Sequence, residues 1–477
     1  VSRKGPVYFI NQMNYDEVED RNLALSILEK LGLVLLAPLL PTDEILARLT
    51  VQQLKSVFPT VHAETPKARL IESILNSESD SSILFEIKRS SPWFCLANPD
   101  TLELFLLLFF GNRVTDLSAF VVRDLGIVEY ESYSLKRTDR QFANRDELDK
   151  YLNWISLSDA LHEKETVDTI EKADEYIEAL SEVQDNRTIE RYRCRTLNNL
   201  GNVLEREKRL RLAIRAYRQS TRHPARERVV RILHRQGKRT TASRLQEKIV
   251  ENPWTKEEEY FANRFPSRRG QPENIRVDKK EIQELPSLPI EEFTLRFLES
   301  EGAVGWHLEN TLPLTMFGLA YWEWIFASVP GAFTNPFQPA PRDLFWPEFV
   351  EVRQHQLEDP LNSEESLIAR VLRTARTKRG KANRLVSWDL FPDERLEQIV
   401  HTLGESSLMR LIGSVKSDIS QFKAGFPDLT VIFPDGSFEF IEVKAPGDQI
   451  QRNQRIWLDE LAKAQLPARV IRFVLNN

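Results

Sequence analysis

Residues 425–444 can fold in very few ways. Leu429-Thr430-Val431-Ile432-Phe433 and Phe438-Glu439-Phe440-Ile441 are apolar runs of strand length, and Pro434-Asp435-Gly436-Ser437 between them is a turn sequence. A hairpin brings its open ends together, so Asp428 comes beside Glu442, with Val443 and Lys444 continuing the second strand. Register decides what the pair can do. A turn centred between Asp435 and Gly436 sets Asp428 opposite Val443, on the wrong face. A three-residue loop centred on Asp435, with Gly436 left-handed, pairs Asp428 with Glu442 on one face; we adopt that register. Two carboxylates at one spot repel unless a cation neutralises them. Hard oxygen ligands suit Mg²⁺ or Mn²⁺. A neighbouring ammonium can hold a water or stabilise charge building on a phosphate. These are the needs of phosphodiester hydrolysis.

The downstream sequence supports the site. Ala445-Pro446-Gly447-Asp448 leads into an amphipathic stretch, 449–464, that reads as a helix with Asp448 as its N-cap. Ile450, Trp457, Leu458 and Leu461 form its buried stripe, and Gln454 lies on its early turns, within reach of the carboxylates. A strand follows from Ala468 to Leu475. Strand, strand, helix, strand is a compact α/β unit.

Gly425-x-Pro427-Asp428-Leu429, Ile441-Glu442-Val443-Lys444-Ala445-Pro446-Gly447-Asp448 and Gln454-x-x-Trp457-Leu458 resemble the VRR-NUC branch of the PD-(D/E)XK nucleases. Gly305-Trp306-His307-Leu308-Glu309-Asn310, Phe317-Gly318-Leu319, Trp322 to Phe326, and Leu385-Val386-Ser387-Trp388-Asp389 are similar to segments of the Fanconi-associated nucleases. The resemblance runs from about Leu285 onward and more loosely before it. It implies a mainly α chain ending in an α/β, restriction-endonuclease-like domain. It also implies a DNA nuclease dependent on Mg²⁺ or Mn²⁺ that cuts 5′-flap-type branched DNA, degrades DNA 5′ to 3′ and acts in interstrand crosslink repair. Carried over by position, Glu309, Asp428, Glu442 and Lys444 are the catalytic set, supported by Gln454. Glu309, Asp428, Glu442 and the Val443 carbonyl are the metal ligands, with Glu309 brought in from a helix. Taken alone, without the resemblance, Glu309 reads better as a helix-start carboxylate facing the helix dipole than as a ligand. Two other functions stay open: a Holliday-junction resolvase on the same fold, and a non-catalytic helical scaffold.

The composition narrows the class. Two cysteines, Cys95 and Cys194, make no disulfide framework, which points to a reducing cytoplasm; with seven scattered histidines they make no zinc finger either. Animal members of the resembled family carry a ubiquitin-binding zinc module, so a bacterial source and a role at the nucleoid are expected instead, without ubiquitin recruitment. No apolar run is long enough for a membrane span, Leu104 to Phe110 being too short, and there is no signal peptide. Val1 in place of Met reads as the start of a trimmed chain.

Net charge is −6 over 477 residues, yet 187–248 holds 19 Lys or Arg against 5 Asp or Glu. That asymmetry is the footprint of a phosphate-binding surface, and it points to branched or flapped double-stranded DNA as partner. The region is helical. Thr196 to Leu204, with Ala213, Ala216 and Tyr217, resembles a tetratricopeptide repeat, and small residues at Gly201 and Ala213 let paired helices approach. A second pair spans Arg226 to Val250. Such an array could also bind protein partners. Arg226, Arg228, Arg231, His234, Arg235, Lys238 and Arg239 are candidate phosphate contacts. A helix, loop, helix module at about 42–76, with Pro66 in the first turn of its second helix, resembles a SAP fold, and Lys55, Lys67 and Arg69 are its candidate DNA contacts. The expected division is 1–98 (helical, with the SAP-like module), 99–155 (helical connector), 156–275 (basic, repeat-like) and 276–477 (nuclease). Asn76 to Ser82 and Pro266 to Pro289 read as linkers, and Pro330 to Pro347 as a Pro-rich excursion whose Phe337, Phe345 and Trp346 pack.

Overall fold

The computed structural model describes residues 7–13, 18, 20–59, 66–111, 126, 128–162, 171–266 and 276–476. The chain forms two compact units, Val1–Thr115 and Asp116–Asn477.

The first unit holds a small antiparallel sheet of β1 (Val7–Phe9), β2 (Val34–Leu36) and β3 (Trp93–Leu96), in the order β1-β3-β2. Helices Thr42–Arg48, Val51–Val57, Lys67–Ser77 and Asp80–Ser90 bury Ile45, Leu46, Leu54, Leu70, Ile74, Ile83 and Ile87 against it. Thr50 and Gln53 form a reciprocal capping box that starts the second of these. The helix pair of the SAP-like reading is thus present; residues 60–65 between them, Thr65 included, lie outside the described residues. Pro66 caps the second helix rather than entering it. The linker expected at 76–82 is not one. Only Glu78 and Ser79 separate two helices, and the Ser79 hydroxyl caps the next by accepting from the Ser82 N–H at 3.3 Å.

The second unit opens with helices. Beyond β4 (Glu129–Tyr130), Arg187–Arg206 pairs with Leu210–Gln219, and Ala225–Arg235 with Arg239–Glu251. Gly201 shows why the first pair needs a small residue: a Cβ there would meet the Tyr217 ring at 2.6 Å. Tyr217, Leu200, Leu204, Ala213, Val230 and Leu233 form the shared core.

A five-stranded sheet follows. Its strands are β5 (Arg276–Ile282), β6 (Val304–His307), then, after a short β7 (Lys381–Ala382) that pairs with β4, β8 (Leu429–Ile432), β9 (Phe438–Lys444) and β10 (Ala468–Leu475). Their order is β5-β10-β9-β8-β6; β10 runs parallel to both neighbours, and the β6-β8-β9 pairs are antiparallel. β5 falls where the sequence reads as linker, so that expectation is corrected; 267–275 lie outside the described residues. Side chains alternate across the sheet. Leu429, Val431, Ile441, Val443 and Ile471 pack on one face, whose core also takes Leu298 from helix Ile290–Ser300. Phe440 packs on the other with Phe426 and Trp457, in the large core that also takes Leu408, Leu411 and Ile412 from helix Asp393–Ser417. The excursion 330–347 is irregular as expected, and Phe337 is buried in it.

Candidate active site

The hairpin has the register that the chemistry requires. Leu429 pairs with Ile441 and Thr430 with Phe440, so the next step of the ladder sets Asp428 against Glu442. Phe433 and Ser437 close a three-residue loop, with Gly436 at φ +83° and the Asp435 carboxylate accepting from the Ser437 N–H at 2.9 Å. Asp428, Glu442 and Lys444 share the face of Phe440.

Glu442 is fully buried, and Lys444 is 8% exposed. Glu442 Oε1 meets Lys444 Nζ at 2.5 Å and accepts from Gln454 Nε2 at 2.6 Å. Its Oε2 is buried with no hydrogen-bond partner among the described residues. Asp428 Oδ2 accepts from the Val443 N–H at 2.8 Å. Burial, and then the charge of Asp428, push Glu442 up to about 7 in spite of Lys444. Asp428 is raised too, by burial first and by Glu291 and Glu309 after it, against the Val443 N–H and Lys444. Two carboxylates whose charged forms are disfavoured, one with an idle oxygen, form a site that favours positive charge.

Gln454 is delivered by helix Arg452–Lys463. Gln451 is the N-cap in a reciprocal box with Gln454, whose Oε1 accepts from the Gln451 N–H at 2.8 Å. The expected N-cap, Asp448, instead closes the preceding turn by accepting from the Ala445 N–H at 3.3 Å. Gly425, at φ +96°, packs on the same helix start, and a Cβ on it would meet Asn453 C at 2.6 Å.

Glu309 also arrives by a different route than expected. It lies on the turn between β6 and helix Thr311–Ala320, at φ +42°, and not on the helix. Its N–H and that of Leu308 both donate to the Asp428 carbonyl, at 3.1 and 3.2 Å, which ties the turn to the hairpin. The side chain faces Asp428 with His307, whose Nε2 is 2.8 Å from Glu309 Oε1; one ligand atom from each of the three lies within 4.8 Å of the others. His307 did not stand out in the sequence. The one available signal was its spacing: two residues ahead of Glu309, it ends the strand that pairs with β8.

The basic helices are more heavily paired than their composition suggests. Arg226 binds Glu258 at 2.5 Å, Arg228 binds Glu205 at 2.8 Å, Arg231 binds Glu227 at 2.8 Å, and Arg235 also binds Glu205. Glu258 lies outside 187–248, so counting acids inside that window understated the pairing. His234 sits edge-on to Phe265. Lys238 and Arg239 are exposed where their helix begins. In the first unit, Lys55 and Arg69 are exposed, and Lys67 Nζ donates to the Ala47 carbonyl at 2.6 Å. No helix among the described residues is long and apolar enough to cross a membrane.

A model of the VRR-NUC domain matches residues 362–474. The Fanconi-associated nuclease 1 homolog of Pseudomonas aeruginosa is 31% identical over 98% of this chain and 87% of its own length. That of Arabidopsis thaliana is 27% identical over 96% of this chain and 60% of its own. The crystal structure of paFAN1 bound to DNA with a 2-nt 5′ flap and a gap matches with a TM-score of 0.78 at 27% identity, covering 100% of this chain and 90% of that one. A match of this extent, with the acidic hairpin inside the matched domain, means that the chain belongs to the Fanconi-associated nuclease family and is a DNA nuclease.

Proposed function

We propose that this nuclease recognises branched DNA by its structure, cuts it at 5′ flaps and resects it 5′ to 3′ in the repair of interstrand crosslinks, using Mg²⁺ or Mn²⁺. The observation that carries this reading is Asp428 and Glu442 side by side with Lys444 and Gln454 on the same carboxylate. The crystallisation of a relative on 5′-flap DNA supports the substrate.

The residues fit a hard divalent ion. The idle Glu442 Oε2, the elevated protonation of both carboxylates and an all-oxygen donor set are what such an ion would satisfy. Asp428, Glu442 and the Val443 carbonyl would hold it, with Glu309 and His307 at the rim. When bound, it supplies a Lewis acid that offsets phosphate charge. Lys444, anchored on Glu442, keeps an ammonium against the reacting phosphate and orients the water that attacks it. Gln454 fixes the Glu442 carboxylate by one oxygen and leaves the other free. The exposed cations Lys55, Arg69, Lys238 and Arg239 would position the duplex through phosphates without reading sequence. The division at 98, 155 and 275 belongs to the same proposal.

End-labelled flap, nicked, four-way and fully paired DNAs incubated with each ion, and the products sized, test it. Preferential incision near the flap base is the expected outcome. Preference for the four-way junction would replace this reading with a resolvase, and no cleavage with either ion would leave a scaffold.

A further inference from the structure

The first turn of helix Arg452–Lys463 carries more than Gln454. Arg452, its first residue, reaches the helical region. Its Nη1 meets Glu257 Oε1 at 3.1 Å, and its Nη2 lies 3.4 Å from Glu227 Oε2 and donates to the Glu257 carbonyl at 3.2 Å. Glu227 belongs to Ala225–Arg235 and Glu257 to Lys256–Arg264. Glu227 is 5% exposed and is gripped from three sides, by Arg452, by Arg231 at 2.8 Å and by His223 Nε2 at 3.2 Å. Burial alone would lift its pKa, but His223, Arg452 and Arg231 outweigh it and hold Glu227 at about 2.

Gln454 has two tasks on opposite ends of one amide. Oε1 is spent on the Gln451 N–H and Nε2 on Glu442, so the turn that presents Gln454 is defined by the same side chain that reaches the carboxylate. Gln is a poor N-cap beside Ser, Thr, Asp or Asn, and such a turn holds its place only if something else anchors it. The Gly425 loop packs on it from one side. Arg452 ties it to the helical region.

We propose that Glu227 and Glu257 of the helical region, acting through Arg452, are positioning residues that hold Gln454 on Glu442; this rests on the active-site reading above. The helical region is then part of the catalytic apparatus as well as a surface for DNA.

The test compares wild type with Arg452→Ala, Arg452→Lys and Arg264→Ala. Arg264 bonds Asp459 farther along the same helix, at 2.8 Å, and serves as a control for anchoring in general. Arg452→Ala should lower kcat roughly 10- to 100-fold with KM for DNA unchanged. Lys at that position should restore most of the rate, and Arg264→Ala should leave kcat alone. Hydrogen exchange supplies a reading that needs no substrate: the Gln451 amide should lose protection in Arg452→Ala and keep it in Arg264→Ala. Wild-type kcat in Arg452→Ala, unchanged Gln451 exchange, or an equal loss in Arg264→Ala would each overturn the proposal. A wild-type protein that cut no flap would sink the substrate reading instead, and the exchange result would still decide this one.

Discussion

Glu442 lies in a strained electrostatic position in the metal-free fold. It is buried beside Asp428 and protonates near 7, against an ordinary 4.5. The folded chain therefore holds that proton more tightly than the unfolded one. The stability it contributes is full below about pH 4.5 and is lost as pH rises to about 7. In chelator-treated protein, Glu442→Gln should raise Tm by a few degrees at about pH 8 and leave it unchanged at about pH 4.5; a fall at the higher pH would contradict the burial argument. Asp428→Asn and Lys444→Ala should each slow cleavage by roughly 10²–10³-fold, while gel-shift affinity for a flap stays close to wild type. The carboxylate pair and its lysine were readable from sequence, because period-two alternation and one turn leave a single useful register. His307 and the true route of Glu309 were not, because they depend on β6 pairing with β8, a contact that local pattern does not specify.

The elements repeat this lesson. The 468–475 strand and the helix after Gly447 were evident from apolar spacing. β5 was hidden, since Arg-Val-Asp-Lys-Lys-Glu-Ile looks like a charged linker. It is an edge strand, parallel to β10, and its charges are half-buried or exposed. Arg469 reaches from β10 to Asp278 on it at 3.0 Å. The Gly425 turn is where an element boundary and the site coincide. Gly425→Ala forces a methyl into Asn453 and demands a left-handed backbone, so it should cost about 2 kcal/mol or more in urea unfolding and lower kcat by displacing Gln454.

Across the molecule, charge was legible as a total and misleading in detail. Nineteen bases in one window suggested a free phosphate-binding face, yet buried carboxylates claim several of them. Arg228→Ala should therefore act on folding. It strips one partner from Glu205, whose side chain is 4% exposed, and should cost on the order of 1–3 kcal/mol. Lys238→Ala and Arg239→Ala should act on DNA: stability is unchanged, and the slope of log affinity against log salt falls by about one per charge removed. A slope unchanged in both would move the DNA path off these helices. The strand order of the nuclease sheet has one more consequence. β10, latest of the five in sequence, lies between β9 and the edge strand β5 and joins β5 to the rest of the sheet. During synthesis, the acidic hairpin and β5 must wait, unjoined, until residues 468–475 clear the ribosome. A nascent chain thus carries the Asp428–Glu442 hairpin before β10 has joined it to β5.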